Sequence, residues 1–206
     1  MKTVRILATA AFAAAIAVTA ASAQQTQRVR GTIEKVDGNT LLIKGPDGAP
    51  ATVSLTDNAV IVGVLKATVA DIKEGSYIGS GALPQPDGTQ KAVEVHIFAE
   101  SQRGTGDGHR GNWDGSPYGA GIGTMTNGAA GQPVSGVDGQ VVTVKYKDGE
   151  KKVIVGPNVP IVRYEVGDKS ELKPGAAISI VAATKKPDGT FSAARINVGR
   201  NGVVPM

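Results

Sequence analysis

Apolar positions recur with a period of two over most of the chain, which predicts strands rather than helices. In Thr40-Leu41-Leu42-Ile43-Lys44, Leu41 and Ile43 share a face, and Val142 and Val144 repeat that arrangement. Val93, Val95 and Ile97 alternate with Glu94, His96 and Phe98. Ala194, Ile196 and Val198 alternate with Arg195, Asn197 and Gly199, and Ala176, Ile178, Ile180 and Ala182 form a further row. Strands of this kind put one face in a core and the other in water. Asp-Gly pairs punctuate them: eight of the eleven Asp residues precede Gly, at 37, 47, 87, 107, 114, 138, 148 and 188. Both residues tolerate positive φ, so these pairs predict hairpin turns. Calcium ligation would need a second Asp or Asn two residues on, and no Asp here has another Asp at that spacing. Residues 67–73 and 168–173 precede Gly75 and Gly175, and each predicts one short helical turn.

The pattern is written twice. Val36-Asp37-Gly38 matches Val137-Asp138-Gly139, and Lys44, Asp47 and Gly48 match Lys145, Asp148 and Gly149, all at an offset of 101. Asn58, Ile61, Val62, Lys73 and Gly75 match Asn158, Ile161, Val162, Lys173 and Gly175 at an offset of 100. Pro86-Asp87-Gly88-Thr89 returns to 101 as Pro187-Asp188-Gly189-Thr190. A one-residue gap that later reverses is loop-length drift within a duplication. The expected units span 28–100 and 133–199, each running strand, strand, strand, strand, short helix, strand, strand. Leu41 and Val142 should hold equivalent core positions, as should Ile97 and Val198. Closing a sheet of this size removes its exposed edges. The expected fold class is all-β, with two tandem small antiparallel OB-like β-barrels joined by a Gly-rich linker; an open sandwich is the alternative. The linker is placed at 101–132, which holds 10 of the 28 Gly residues and should behave as flexible coil. Trp113, the single Trp, lies inside it and is expected to be exposed.

The N-terminus changes the setting. Lys2 and Arg5, an apolar run from Ile6 to Ala20, and Ala21-Ser22-Ala23 read as a signal peptide at 1–23. The expected location is the periplasm or the medium, with no membrane-spanning segment after cleavage. Cleavage removes two basic residues and no acidic one, so the formal charge falls from +4 to 20 − 18 = +2. That value is ordinary for a soluble protein, and with few aromatic residues to stack on bases it argues against a nucleic-acid partner. The absence of Cys excludes disulfides, thiolate metal sites, a Cys nucleophile and a lipid-anchored N-terminus.

Little catalytic chemistry is visible. The only His residues are His96 and His109, and there is no G-x-S-x-G elbow and no Walker A loop. Residues shared by the two units are turns, glycines, core aliphatics and two lysine pairs, Lys44/Lys145 and Lys73/Lys173. His96 falls opposite Asn197 and Tyr77 opposite Ala177, so duplication keeps scaffold and not chemistry. The chain is expected not to be an enzyme. One constellation remains, Asp107-Gly108-His109-Arg110-Gly111-Asn112-Trp113-Asp114. Asp107, His109 and Asp114 offer oxygen and nitrogen ligands for a divalent metal, with His96 as a fourth if the linker folds back.

Each unit ends in a similar way. Asp71-Ile72-Lys73-Glu74-Gly75 and Glu171-Leu172-Lys173-Pro174-Gly175 precede a strand, then Pro-Asp-Gly-Thr, then the stretches Ala92–Ile97 and Ala193–Val198. This resembles the secreted bacterial β-barrel domains of unknown function that occur in tandem with OB-like folds. The resemblance covers both units and implies scaffold without catalytic residues. Similar chains are sometimes labelled metal-transporter permeases; without polytopic segments, that label implies at most a soluble periplasmic accessory in metal-ion handling or transport. The leading expectation is an exported, non-enzymatic binding or scaffold protein whose partner is a periplasmic protein or a small ligand.

Overall fold

The computed structural model describes residues 26–113 and 122–205, so the expected signal peptide lies outside the described residues. The elements are β1 (Thr26–Asp37), β2 (Thr40–Lys44), β3 (Pro50–Ala67), the 3-10 turn η1 (Val69–Asp71), β4 (Tyr77–Pro84), β5 (Gln90–Ile97) and η2 (Glu100–Gln102). They continue with β6 (Gly108–Trp113), β7 (Gly123–Ala130), β8 (Val134–Gly136), β9 (Gly139–Tyr146), β10 (Gly149–Val155), β11 (Ile161–Val166), η3 (Lys169–Glu171), β12 (Ala177–Lys185) and β13 (Phe191–Gly199). The protein is all-β, and among the described residues no helix is long and apolar enough to cross a membrane. Six of the eight Asp-Gly pairs turn the chain between strands that then pair with each other. In two of them a threonine locks the turn: Thr89 and Thr190 each donate backbone N–H and hydroxyl to the Oδ1 of Asp87 and Asp188.

Five strands close a barrel. β1 pairs with β2, β2 with β3, β3 with β13 in parallel, β13 with β12, and β12 back to β1. Its core holds Ile33, Leu41, Ile43, Val53, Ile178 and Ile196, all essentially inaccessible. A second circuit of pairings runs β9–β10–β5–β4–β7 and returns through Ala129 and Ala130 on Lys145 and Val144. Ile78, Val95, Val142, Val144 and Val153 fill its interior. Leu41 and Val142 are both fully buried, and Ile97 and Val198 nearly so.

The partition between these groups departs from the units at 28–100 and 133–199. The closed barrel takes its first three strands from before residue 68 and its last two from after residue 176. The second circuit takes β4 and β5 from the first unit, β7 from the segment 101–132, and β9 and β10 from the second unit. The hook-ups are reciprocal: Gly75 N donates to Ala130 O and Ala130 N to Ser76 O, while Gly175 N donates to Ile33 O and Ile33 N to Ala176 O. The physical cause lies in β3 and β11, which pair antiparallel with Val64 opposite Tyr164. This pairing carries each strand beyond its first partners. A short 3-10 turn at η1 or η3 then delivers the chain to the other group of strands. Between them, Val62, Val64, Val162 and Tyr164 form a small third core, covered by Phe98 and Val203.

Two further expectations change. Separate third and fourth strands are found only in the second half, as β10 and β11; β3 runs through, although its pairing with β13 jumps from Leu55 to Val60. Strict alternation also breaks at bulges. Ala193, not Ala194, points into the core ahead of Ile196 and Val198, because the register slips between Ala193 and Arg195. The same happens on β5, where Ala92 rather than Val93 is buried. One extra residue per bulge turns every earlier side chain to the other face.

Candidate functional site

Residues 101–132 are not a coil where they are described: they contain β6 and β7 and dock on the second group of strands. The docking uses polar anchors. Arg103 donates to Gly75 O at 2.9 Å and lies over the Tyr77 ring. Asn127 donates to Thr105 O at 3.0 Å, and Arg110 bonds the carbonyl of Gly106, which takes positive φ. Trp113 is 9% exposed, contrary to expectation, because its ring lies where a side chain at position 81 would be. A Cβ on Gly81 would sit 2.3 Å from Trp113 Cη2. Glycine here supplies room for an aromatic ring rather than flexibility for the backbone.

The proposed metal residues have other partners. Asp107 Oδ2 accepts from the Tyr77 hydroxyl at 3.1 Å, and Oδ1 accepts from Lys147 N at 2.8 Å. Tyr77 is consequently pushed up to about 12, first by burial and then by the hydrogen bond and charge of Asp107. His109 Nδ1 lies 2.8 Å from Thr126 Oγ1, and its ring stacks on Tyr146. Burial, then the charge of Lys151, lowers the His109 pKa. Asp114 lies outside the described residues. Among the described residues no three His, Asp or Glu side chains gather as a metal-holding group. His96 is not on an open face: its side chain is 12% exposed, beside Tyr164 and Glu94.

A concavity lies elsewhere. A groove of about 1280 Å³ opens between the end of β3 (66–69), the β8–β9 turn (135–140), the β10–β11 connection (155–162) and the C-terminal segment (201–204). That volume exceeds the range of roughly 300–1,000 Å³ usual for small-ligand sites. Its walls mix Val, Pro, Ile, Ala and Gly with the polar side chains of Thr68, Ser135, Gln140, Asn158 and Asn201; among the described residues, Lys66 and Asp138 are the only ionisable ones on it. Val137 stands fully exposed at the rim, with Val204 also exposed. Its counterpart Val36 packs against the closed barrel's core instead. Gly139 holds the turn at φ 137°, where a Cβ would lie 2.3 Å from Val155 O. The sequence signal was present but read as scaffold: Val137-Asp138-Gly139 matches a turn in the first unit, and only packing shows that one valine is covered and the other is not. No family model, curated protein or solved structure matches the chain.

Proposed function

We propose that the chain is exported, loses residues 1–23, and acts as a non-enzymatic binding protein. In this reading it is a duplicated unit whose two OB-like barrels exchange their last two strands, and the groove holds the ligand. The observation that carries the proposal is the groove itself. It is wide and open, its valines, prolines and isoleucine are interspersed with neutral polar side chains, and Val137 and Val204 are exposed at its lip. Such a surface gains free energy by covering apolar area, about 25 cal/mol per Å² removed from water. Backbone N–H and C=O groups and the neutral polar side chains on its walls would orient a ligand. The ligand expected is an extended molecule or segment with an apolar body.

A neutral apolar dye, Nile red, tests this on the mature chain. Val137→Arg and Val204→Arg change exposed rim positions and leave the cores intact. Each should weaken dye binding by about five- to tenfold, the equivalent of ~1–1.5 kcal/mol. Unchanged dye affinity in both variants would sink the groove assignment. Export is checked separately: mass spectrometry of the secreted form should show a new N-terminus at Gln24.

A further inference from the structure

The region where β3 and β11 pair carries a second, polar site. In the closed barrel, Arg30 on β1 lies opposite Ser179, Ser179 opposite Asn197, and Asn197 opposite Val62, so these residues form one row across four strands. The row is on the outer face, since the neighbours Ile178, Ile180, Ile196 and Val198 fill the core. Arg195 precedes Asn197 by two residues on β13, and Arg28 precedes Arg30 by two on β1. From the other side, β5 brings Glu94 and His96, and β11 brings Tyr164.

These groups converge on one hydroxyl. Burial raises the pKa of Tyr164 most; the charge of Glu94 raises it further, while Arg195, Arg28 and Arg30 oppose the rise. Among the described residues, none of these three arginines makes an ion pair or a side-chain hydrogen bond. Arg30 and Arg195 are held below the ordinary arginine value chiefly by desolvation. Glu94 is 8% exposed and is the carboxylate that acts on Arg30 and on Tyr164. It lies 3.2 Å from His96 Nε2, outside hydrogen-bond geometry. His96 Nε2 is thus buried and faces the Glu94 carboxylate. On the other side of the ring, His96 Nδ1 lies 3.2 Å from the Tyr164 hydroxyl. Asn197 Oδ1 is unpartnered, and the amide's other atom bonds Ser179 Oγ.

We propose that this waist binds a doubly charged oxyanion, a phosphate or sulfate group. Three guanidiniums against one carboxylate leave two positive charges, which a dianion balances. Arginine's planar fork matches tetrahedral oxyanions. Arg28 and Arg30 are exposed, Arg195 is half-buried, and Glu94 and Tyr164 are buried. None of these residues lines the groove.

Isothermal titration of the mature chain with inorganic phosphate, sulfate and phenyl phosphate tests the assignment, with sodium chloride at matched ionic strength as control. All three oxyanions should bind saturably and raise the melting temperature, and chloride should not. Arg30→Gln, at an exposed position, and Arg195→Gln should each weaken binding at least about tenfold, with Arg195→Lys recovering part of the loss. If phenyl phosphate alone bound, and lost affinity in the same variants, the natural ligand would be a phosphoryl group carried on a larger molecule. Equal effects of chloride and phosphate, or unchanged affinity in both glutamine variants, would overturn the proposal.

Discussion

Gly81→Ala tests whether the glycine-rich segment is truly docked. The added Cβ would lie 2.3 Å from Trp113 Cη2, 2.5 Å from Cζ3 and 2.8 Å from Cζ2. Carbon atoms at rest stand about 3.5–4.0 Å apart, so the indole must move by more than an ångström. Gly81 has no positive φ, and alanine would otherwise favour the strand by roughly 0.5–1 kcal/mol through lost unfolded-state freedom. Overpacking a filled site costs typically 1–3 kcal/mol. The net expectation is a loss of about 1–2 kcal/mol, concentrated on β6. Because Trp113 is the single Trp, intrinsic emission reads this position alone. The wild-type emission should be blue-shifted and move red in urea. The Gly81→Ala protein should emit further to the red before the global transition, with β6 cut faster by protease. Wild-type emission at the free-indole position, or a Gly81→Ala spectrum and midpoint identical to wild type, would refute the docking argument.

Two further predictions concern the scaffold. A protease site placed within 114–121 and cut after folding should leave two fragments that co-elute as one species and separate only in denaturant, because each group of strands takes members from both sides of the cut; separation under native conditions would contradict the strand exchange. Arg200 bonds Glu171 through two contacts of 2.8 Å and pairs with Glu165 at 2.8 Å, and these bonds hold Glu171 below its ordinary value of 4.5. A carboxyl depressed in the folded state contributes fully above its unfolded value, and the contribution is lost as pH falls below it. Arg200→Ala should therefore cost about 1–2 kcal/mol at pH 7 and flatten the stability slope below about pH 4.5 in urea titrations; an unchanged slope would remove the pair from the account.

Local features were readable because they depend on neighbours in sequence. Asp168 and Glu171 bracket η3 in a reciprocal cap: Ser170 N donates to Asp168 Oδ1 and Asp168 N to Glu171 Oε1, at 2.8 Å each. The short helical turn expected at 168–173 is this one, reduced to three residues. The bulges at Ala194 and Val93 were not readable, since alternation alone does not mark where a strand gains a residue. Trp113 was misplaced for a related reason: glycine content alone does not distinguish a flexible segment from one in which Gly81 makes space for a ring. The oxyanion cluster draws Arg30, Glu94, Tyr164 and Arg195 from four different strands, and no spacing rule links them.

By itself the sequence determined the strand character, most of the turns, the buried face of several strands and the lack of familiar catalytic motifs. Each of these follows from period-two burial, from glycine's φ range or from side-chain chemistry, all of which act within a few residues. Tertiary structure alone decided which strands share a barrel. Alternation states that Val64 and Tyr164 each have a buried face, but not that they pair with one another. Once they do, β3 and β11 run past their own partners, β12 and β13 join β1–β3 while β4 and β5 join β7, β9 and β10, and the groove and the polar waist lie where these groups meet. Hydrophobic burial rewards any arrangement that covers the apolar face, so the partner is chosen by the geometry of long strands and short connections rather than by the residue pattern.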